Sequence, residues 1–256
     1  MNAPETSRGT LHFTLWGIPI SIQPSSWVVL ALLGGAFRIN DGSDLKSVLI
    51  FVAAGMLCLL AHELGHALTG RKLTGETPTI TLAMMGGVTQ LYNPPRTRVG
   101  YFLYVLAGPL AGLIPGLVGS LLLGMQVGNI GAGISFFILS PFGADGAIPE
   151  SHLYALASAL HEGTLSYTAL QVYGTASLVS VWWCIFNLLP IFPMDGGQIL
   201  LTITNNYKTT SLIGLVIASV LTIVCICLSM WYTMMFLGYF AYINWQIFQS
   251  ECRGCD

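Results

Sequence analysis

Leu59-Leu60-Ala61-His62-Glu63-Leu64-Gly65-His66-Ala67-Leu68 puts a glutamate and two histidines inside an apolar run. The pattern is HExxH. Three ionisable side chains are costly in so hydrophobic a helix unless something, such as a metal, uses them. His62 and His66 are four apart, so a helix brings both to one face, where they can share a zinc ion. Glu63 lies beside that face and can take a proton from a water that such a metal activates.

The rest of the composition agrees with a helix in a bilayer. Of the 256 residues, 54% are hydrophobic and only 8% are charged, against about 25% charged in a soluble globular chain. Nine Lys plus Arg against eleven Asp plus Glu leave no basic surface for nucleic acid. Apolar segments fall at about 27–37, 47–70, 101–127, 170–189, 212–230 and 231–248. The expected fold is therefore all-α and integral to the membrane, a polytopic bundle of about six transmembrane helices. The first segment is short for a span and could be re-entrant. The last two meet at Met230-Trp231 and need a tight turn.

Two stretches read as short membrane-associated β-strands. Residues 11–22, near the N-terminus, alternate in character around Trp16-Gly17-Ile18-Pro19. Residues 77–92, directly after the HExxH helix, are rich in Thr, Ile and Val and hold a turn-like Met84-Met85-Gly86-Gly87-Val88. No cleavable signal peptide is expected, because residues 1–10 are polar and 11–22 are strand-like. Three regions follow: an N-terminal cytoplasmic segment 1–26, a core 27–205, and 206–256 with two further spans and a short tail.

Charge bias orients the bundle. With both termini in the cytoplasm, Arg8, Arg71, Lys72, Arg96, Arg98, Lys208 and Arg253 fall inside, leaving Arg38 and Lys46 outside. The segment 126–169 has no Lys or Arg, as an exported loop should. His62–His66 then lies on the order of 10 Å inside the cytoplasmic face, at ~1.5 Å per residue.

Two histidines and a water leave a catalytic zinc one protein ligand short. In this topology Asp41, Asp44, Asp145, Glu150 and Glu162 are on the outer side, and Glu5, Glu251 and Asp256 are in the tails. Glu76 sits in a polar turn. Elimination selects Asp195, which ends the run Asn187-Leu188-Leu189-Pro190-Ile191-Phe192-Pro193-Met194-Asp195-Gly196-Gly197. Its prolines and glycines break the helix, which is tolerated at membrane depth where the backbone is buried in protein or lines a wet cavity. The alternative is an ordinary loop in which Asp195 caps the next helix.

These motifs together resemble the site-2 protease family of intramembrane zinc metalloproteases. His62-Glu63-Leu64-Gly65-His66 matches the family's HExxH, and Asn187, Pro190, Asp195 and Gly196 match its NxxPxxxxDG. Ala107-Gly108-Pro109, Trp16-Gly17-Ile18-Pro19-Ile20 and Gly86-Gly87 are weaker points of likeness. The likeness covers about residues 11–201, and the chain looks like a minimal member without PDZ or CBS domains. The resemblance implies hydrolysis of a peptide bond within or near a transmembrane helix of a membrane-protein substrate, as in regulated intramembrane proteolysis. It implies Zn2+ on His62, His66 and Asp195, Glu63 as the catalytic acid–base, and a bacterial or archaeal cell membrane. Asn187 would hold substrate or the developing oxyanion, or else serve only as a helix-breaking hydrogen bond. The competing reading is a catalytically inactive or non-proteolytic membrane zinc-binding protein, which gives Glu63 no role.

Small residues recur at Gly108, Gly112, Gly116, Ser120 and Gly124. This row is expected to pack against the HExxH helix. Cys58, Cys184, Cys225 and Cys227 read as small core residues. Cys252 and Cys255 form a lone CxxC in the tail.

Overall fold

The computed structural model describes residues 9–84 and 86–253. Glu5, Arg8, Met85, Cys255 and Asp256 lie outside them. In chain order the elements are β1 (Leu11–Leu15), β2 (Ile18–Ile22), α1 (Pro24–Leu33), α2 (Gly42–Thr74), β3 (Thr79–Ala83), β4 (Gly86–Gln90), α3 (Arg98–Gly112) and α4 (Ile114–Gln126). There follow α5 (Ile130–Leu139), α6 (Glu150–His161), α7 (Tyr167–Asn187), α8 (Asp195–Thr204), α9 (Tyr207–Cys227) and α10 (Trp231–Arg253). Among the described residues, four helical stretches are long and apolar enough to cross a membrane: Gly42–Thr74, Arg98–Gln126, Tyr167–Asn187 and Tyr207–Cys227. The chain forms two compact units, Met1–Pro94 with Leu110–Cys184, and Pro95–Pro109 with Ile185–Asp256.

In the first unit both strand-like stretches are hairpins. Trp16 and Gly17 have φ of 51° and 78°, the double left-handed conformation that matches the twist of a two-residue hairpin loop. The strand order is β1-β2-β3-β4. β2 and β3 pair in parallel, Ile20 opposite Ile80 and Ile22 opposite Leu82. That pairing joins the two hairpins into one sheet and uses α1 and α2 as its crossover. Ile18, Ile20, Ile22, Ile80 and Leu82 pack in one core with Met56, Leu59 and Ala67 of α2, so one face of the sheet is apolar and covers the HExxH helix.

The 33 residues of α2 make about 50 Å of helix, longer than the ~30 Å hydrocarbon core. Its ends are well specified. The Asp41 side chain accepts hydrogen bonds from the N–H groups of Ser43 and Asp44, and Gly75, at φ 77°, terminates the helix with its N–H on the Arg71 carbonyl. Arg71 and Lys72 in the last turn complement the helix dipole. The Arg71 guanidinium also donates to the Trp16 carbonyl at 2.6 Å, tying the end of α2 to the first hairpin turn.

The apolar segment 101–127 breaks at Leu113, between α3 and α4, with Pro109 in one helix and a proline in the first turn of the other. The row of small residues meets both the HExxH helix and α7, since α4 packs against α2. A Cβ on Gly112 would lie 3.6 Å from His62 Cβ, whereas on Gly116 it would lie 2.8 Å from Ser180 Cβ on α7. Ser120 and Ser177 hydroxyls are 2.8 Å apart. The row thus packs against the HExxH helix as expected, and beyond Gly112 it also meets α7. The segment 126–169 is not open loop: it holds α5 and α6, whose apolar faces share a core with Leu123.

The second unit is built on α9 and α10, joined across residues 228–230 rather than at Met230-Trp231. Ile191, Met194, Ala218, Cys225, Leu237 and Phe240 form its core. Cys58, Cys184 and Cys225 are buried as expected, but Cys227 is exposed. Tyr101 donates to Gln198 at 2.6 Å, linking α3 to α8.

Candidate metal centre and catalytic base

The helical repeat does what the spacing requires. The His62 and His66 Nε2 atoms face each other at 3.2 Å, with the rings 4.8 Å apart and nearly perpendicular at 82°. Two imidazole nitrogens on a tetrahedral zinc, each ~2.0–2.1 Å from the metal, sit about 3.3 Å apart. The observed separation therefore fits a shared zinc. Both rings are buried, and a metal gives a use to ring nitrogens that a neutral bundle would only have to satisfy.

Glu63 is 4% exposed, and β4 holds it. Its carboxylate accepts a hydrogen bond from the Thr89 hydroxyl at 2.7 Å. The nearest imidazole nitrogen, His62 Nε2, is 4.0 Å away, so the carboxylate stays close to the histidines without bonding to them. β4 can come this near only because residue 87 is glycine. A Cβ there would stand 2.3 Å from Glu63 Oε1. Trp183 on α7 closes another side, edge-on to His62 at 6.4 Å and against Gly86. Thr89 and Trp183 were not marked by the sequence. Position in a strand just after the HExxH helix was the only available signal for Thr89, and Trp183 is one aromatic in a long apolar run.

Asp195 is the first residue of α8, buried, in the second unit. The cap position is Met194, and Asp195 is the first helical residue after it. Its charge is favoured at a helix N-terminus. The preceding loop folds back hard on this turn: a Cβ on Gly196 would lie 2.2 Å from the Leu188 carbonyl oxygen, and one on Gly197 would lie 2.7 Å from the Ile191 carbonyl carbon. Two glycines after Asp195 are thus a packing requirement. Asn187 is the last residue of α7, partly buried. His62, Glu63 and His66 stand together in the first unit, while Asn187 and Asp195 belong to the second.

Outside the apolar helices, Glu76 accepts hydrogen bonds from the Asn93 backbone N–H and side-chain amide. These bonds hold its carboxyl below the usual carboxylate range and tie the two ends of the β3–β4 hairpin.

A Synechocystis protein provisionally named a zinc metalloprotease is 25% identical over 214 residues, covering 80% of this chain and 47% of that protein. A zinc metalloprotease of Methanocaldococcus jannaschii is 28% identical over 193 residues, covering 73% of this chain and 43% of the relative. The chain spans about half the length of these curated relatives. The solved structure of a site-2 protease from Methanocaldococcus jannaschii has the same fold, with a TM-score of 0.53, 21% identity, and 95% and 94% of the two chains covered. The sequence pattern of peptidase family M50 matches residues 50–230. That match takes in the HExxH helix, the β4 hairpin and the Asp195 turn, and by it the chain belongs to peptidase family M50.

Proposed function

We propose that the protein is an intramembrane zinc metalloprotease of the site-2 protease type, which hydrolyses a peptide bond within or near a transmembrane segment of a membrane-protein substrate. The observation that carries this reading is the pair of buried imidazole nitrogens 3.2 Å apart, beside a buried glutamate, on a helix apolar enough to span a bilayer. Asp195 is the third ligand in this proposal. Each of the three side chains is buried, and two imidazoles with one carboxylate are a donor set that suits a catalytic zinc.

Zinc held there supplies a water of lowered pKa and a Lewis acid for the scissile carbonyl. Glu63 takes the proton of the attacking water and returns it to the leaving amine. The Thr89 hydroxyl holds the Glu63 carboxylate in one orientation. Asn187 donates its side-chain amide to the substrate or to the developing oxyanion. A helical peptide bond is shielded, so the substrate must unwind. β4 lies at the sheet edge, and an extended substrate pairs with it by main-chain hydrogen bonds.

Charge bias supports the finer topology: both termini cytoplasmic, the segment 126–169 exported, and about six membrane segments. The 23-residue α10 is the fifth, and the apolar segment around the 10-residue α1 is the sixth, giving the even number of crossings that puts both termini on one side. The 27–205 region is then the catalytic core in this scheme.

The test compares the parent chain with Glu63→Gln in detergent, measuring zinc and cleavage of a transmembrane reporter. Zinc in both, with cleavage in the variant reduced by roughly 10²-fold or more, is the expected result. Equal cleavage by the two would remove the proposed base. Zinc without cleavage in either would favour a non-proteolytic zinc-binding protein.

A further inference from the structure

Asn244 stands out on α10. It is a wholly buried amide at 0% exposure in a helix otherwise lined with aromatic and aliphatic side chains. A polar group so placed is costly unless every hydrogen bond is made. Here they are. The Asn244 amide nitrogen donates to the Phe192 carbonyl at 2.8 Å and to the Phe240 carbonyl at 2.8 Å. Its oxygen accepts from the Phe192 N–H at 3.3 Å. One side chain thus reads both backbone groups of a single residue, as a neighbouring strand would.

That residue is three positions before Asp195. The intervening chain is tight: the Met194 N–H donates to the Ile191 carbonyl at 2.9 Å, and the Gln198 N–H to the Met194 carbonyl at 3.2 Å. The loop also presses on Gly196 and Gly197, as described above. α9 makes room for the amide, since a Cβ on Gly214 would lie 2.3 Å from Asn244 Oδ1. Gly214, Asn244, Phe192 and Asp195 form one mechanical line within the second unit.

We infer that Asn244 is a positioning residue: it fixes the backbone of the loop that presents Asp195 to the metal. This rests on the reading of Asp195 as a ligand. Plain interhelical glue would bond another helix's side chain or backbone. Asn244 instead spends two of its three bonds on a loop peptide with no helix of its own. The final two helices then have a catalytic purpose, as the wall that holds the ligand loop. Leucine, close in shape, would lose all three bonds, and aspartate would lose both donors.

The test uses Co2+ as the probe on the full chain in detergent, with affinity from chelator competition and coordination from the visible absorption spectrum. Asn244→Leu and the milder Gly214→Ala are compared with Leu237→Ala, a cavity in the same core that touches neither Asn244 bond, and with Asp195→Ala. Thermal unfolding is recorded for each. The expected result is Co2+ affinity about tenfold or more weaker in Asn244→Leu, a smaller loss with an altered spectrum in Gly214→Ala, and parental affinity in Leu237→Ala at similar loss of stability. If Asn244→Leu does not fold, Gly214→Ala decides. Equal weakening in Leu237→Ala, or parental affinity in a folded Asn244 or Gly214 variant, overturns the inference alone. A parent that binds no Co2+, or an Asp195→Ala variant that binds like the parent, overturns the functional reading and this inference with it.

Discussion

In the proposed mechanism, Glu63 depends on a neighbour with no side chain. The Gly87 position leaves 2.3 Å between an added methyl and the Glu63 carboxylate, a distance that cannot survive. Gly87→Ala should therefore swing the carboxylate away while leaving His62 and His66 in place. The expected outcome is unchanged zinc content and a kcat at least about tenfold lower, a part of the roughly 10²–10⁴ a positioned base contributes. Reporter kinetics with parallel zinc analysis check it, and a parental kcat would show that Glu63 is not held where it acts. The residues of the first kind, His62, Glu63 and His66, were legible because their meaning lies in spacing along one helix. Asp195 was legible by elimination among few acids. Thr89 and Asn244 were not, since each acts on a group 26 or 52 residues away in the chain, and a lone Thr in a strand or Asn in a helix carries no local mark.

Among the elements, the sheet beside α2 does two jobs. Its inner face buries Ile20, Ile80 and Leu82 against the HExxH helix, and its outer strand brings Thr89 and Gly87 to Glu63. If that strand also receives the substrate, proline in its middle should hurt turnover and not metal binding. Val88 is exposed, and Val88→Pro removes the N–H that pairs it with Thr81, which displaces the open edge of β4 without touching the histidines. It should lower kcat/KM about five- to tenfold, the worth of one main-chain hydrogen bond, with zinc retained; unchanged kinetics would argue against strand addition. The strand character of both stretches was readable from alternation and composition, and the turn of the second from its Gly86-Gly87; the turn at Trp16-Gly17 was not. Nor was the union of the two hairpins, because the parallel pairing of β2 with β3 is a non-local choice that leaves no trace in either strand. The break at Leu113 was hidden for another reason: the run 101–127 stays apolar through it, and hydropathy does not distinguish one helix from two. The two helices within 126–169 were masked by reading the lack of Lys and Arg only as a statement about export.

For the molecule as a whole, the proposal draws His62, His66 and Glu63 from the unit that contains the sheet and Asp195 from the unit that contains α9 and α10. The sequence separates these contributions by more than a hundred residues, and only the shared need for a buried donor relates them. Metal chemistry inside an apolar bundle makes one demand on the product: the cut must fall within the substrate's membrane segment or at its edge. The direct measurement is cleavage of a single-span reporter by the purified chain in liposomes, with the product masses read by mass spectrometry. A cut inside or within a few residues of the reporter's apolar segment, abolished by a zinc chelator and restored by Zn2+, is the predicted result. Cleavage confined to the reporter's soluble flanks, or cleavage indifferent to the chelator, would contradict an intramembrane zinc metalloprotease.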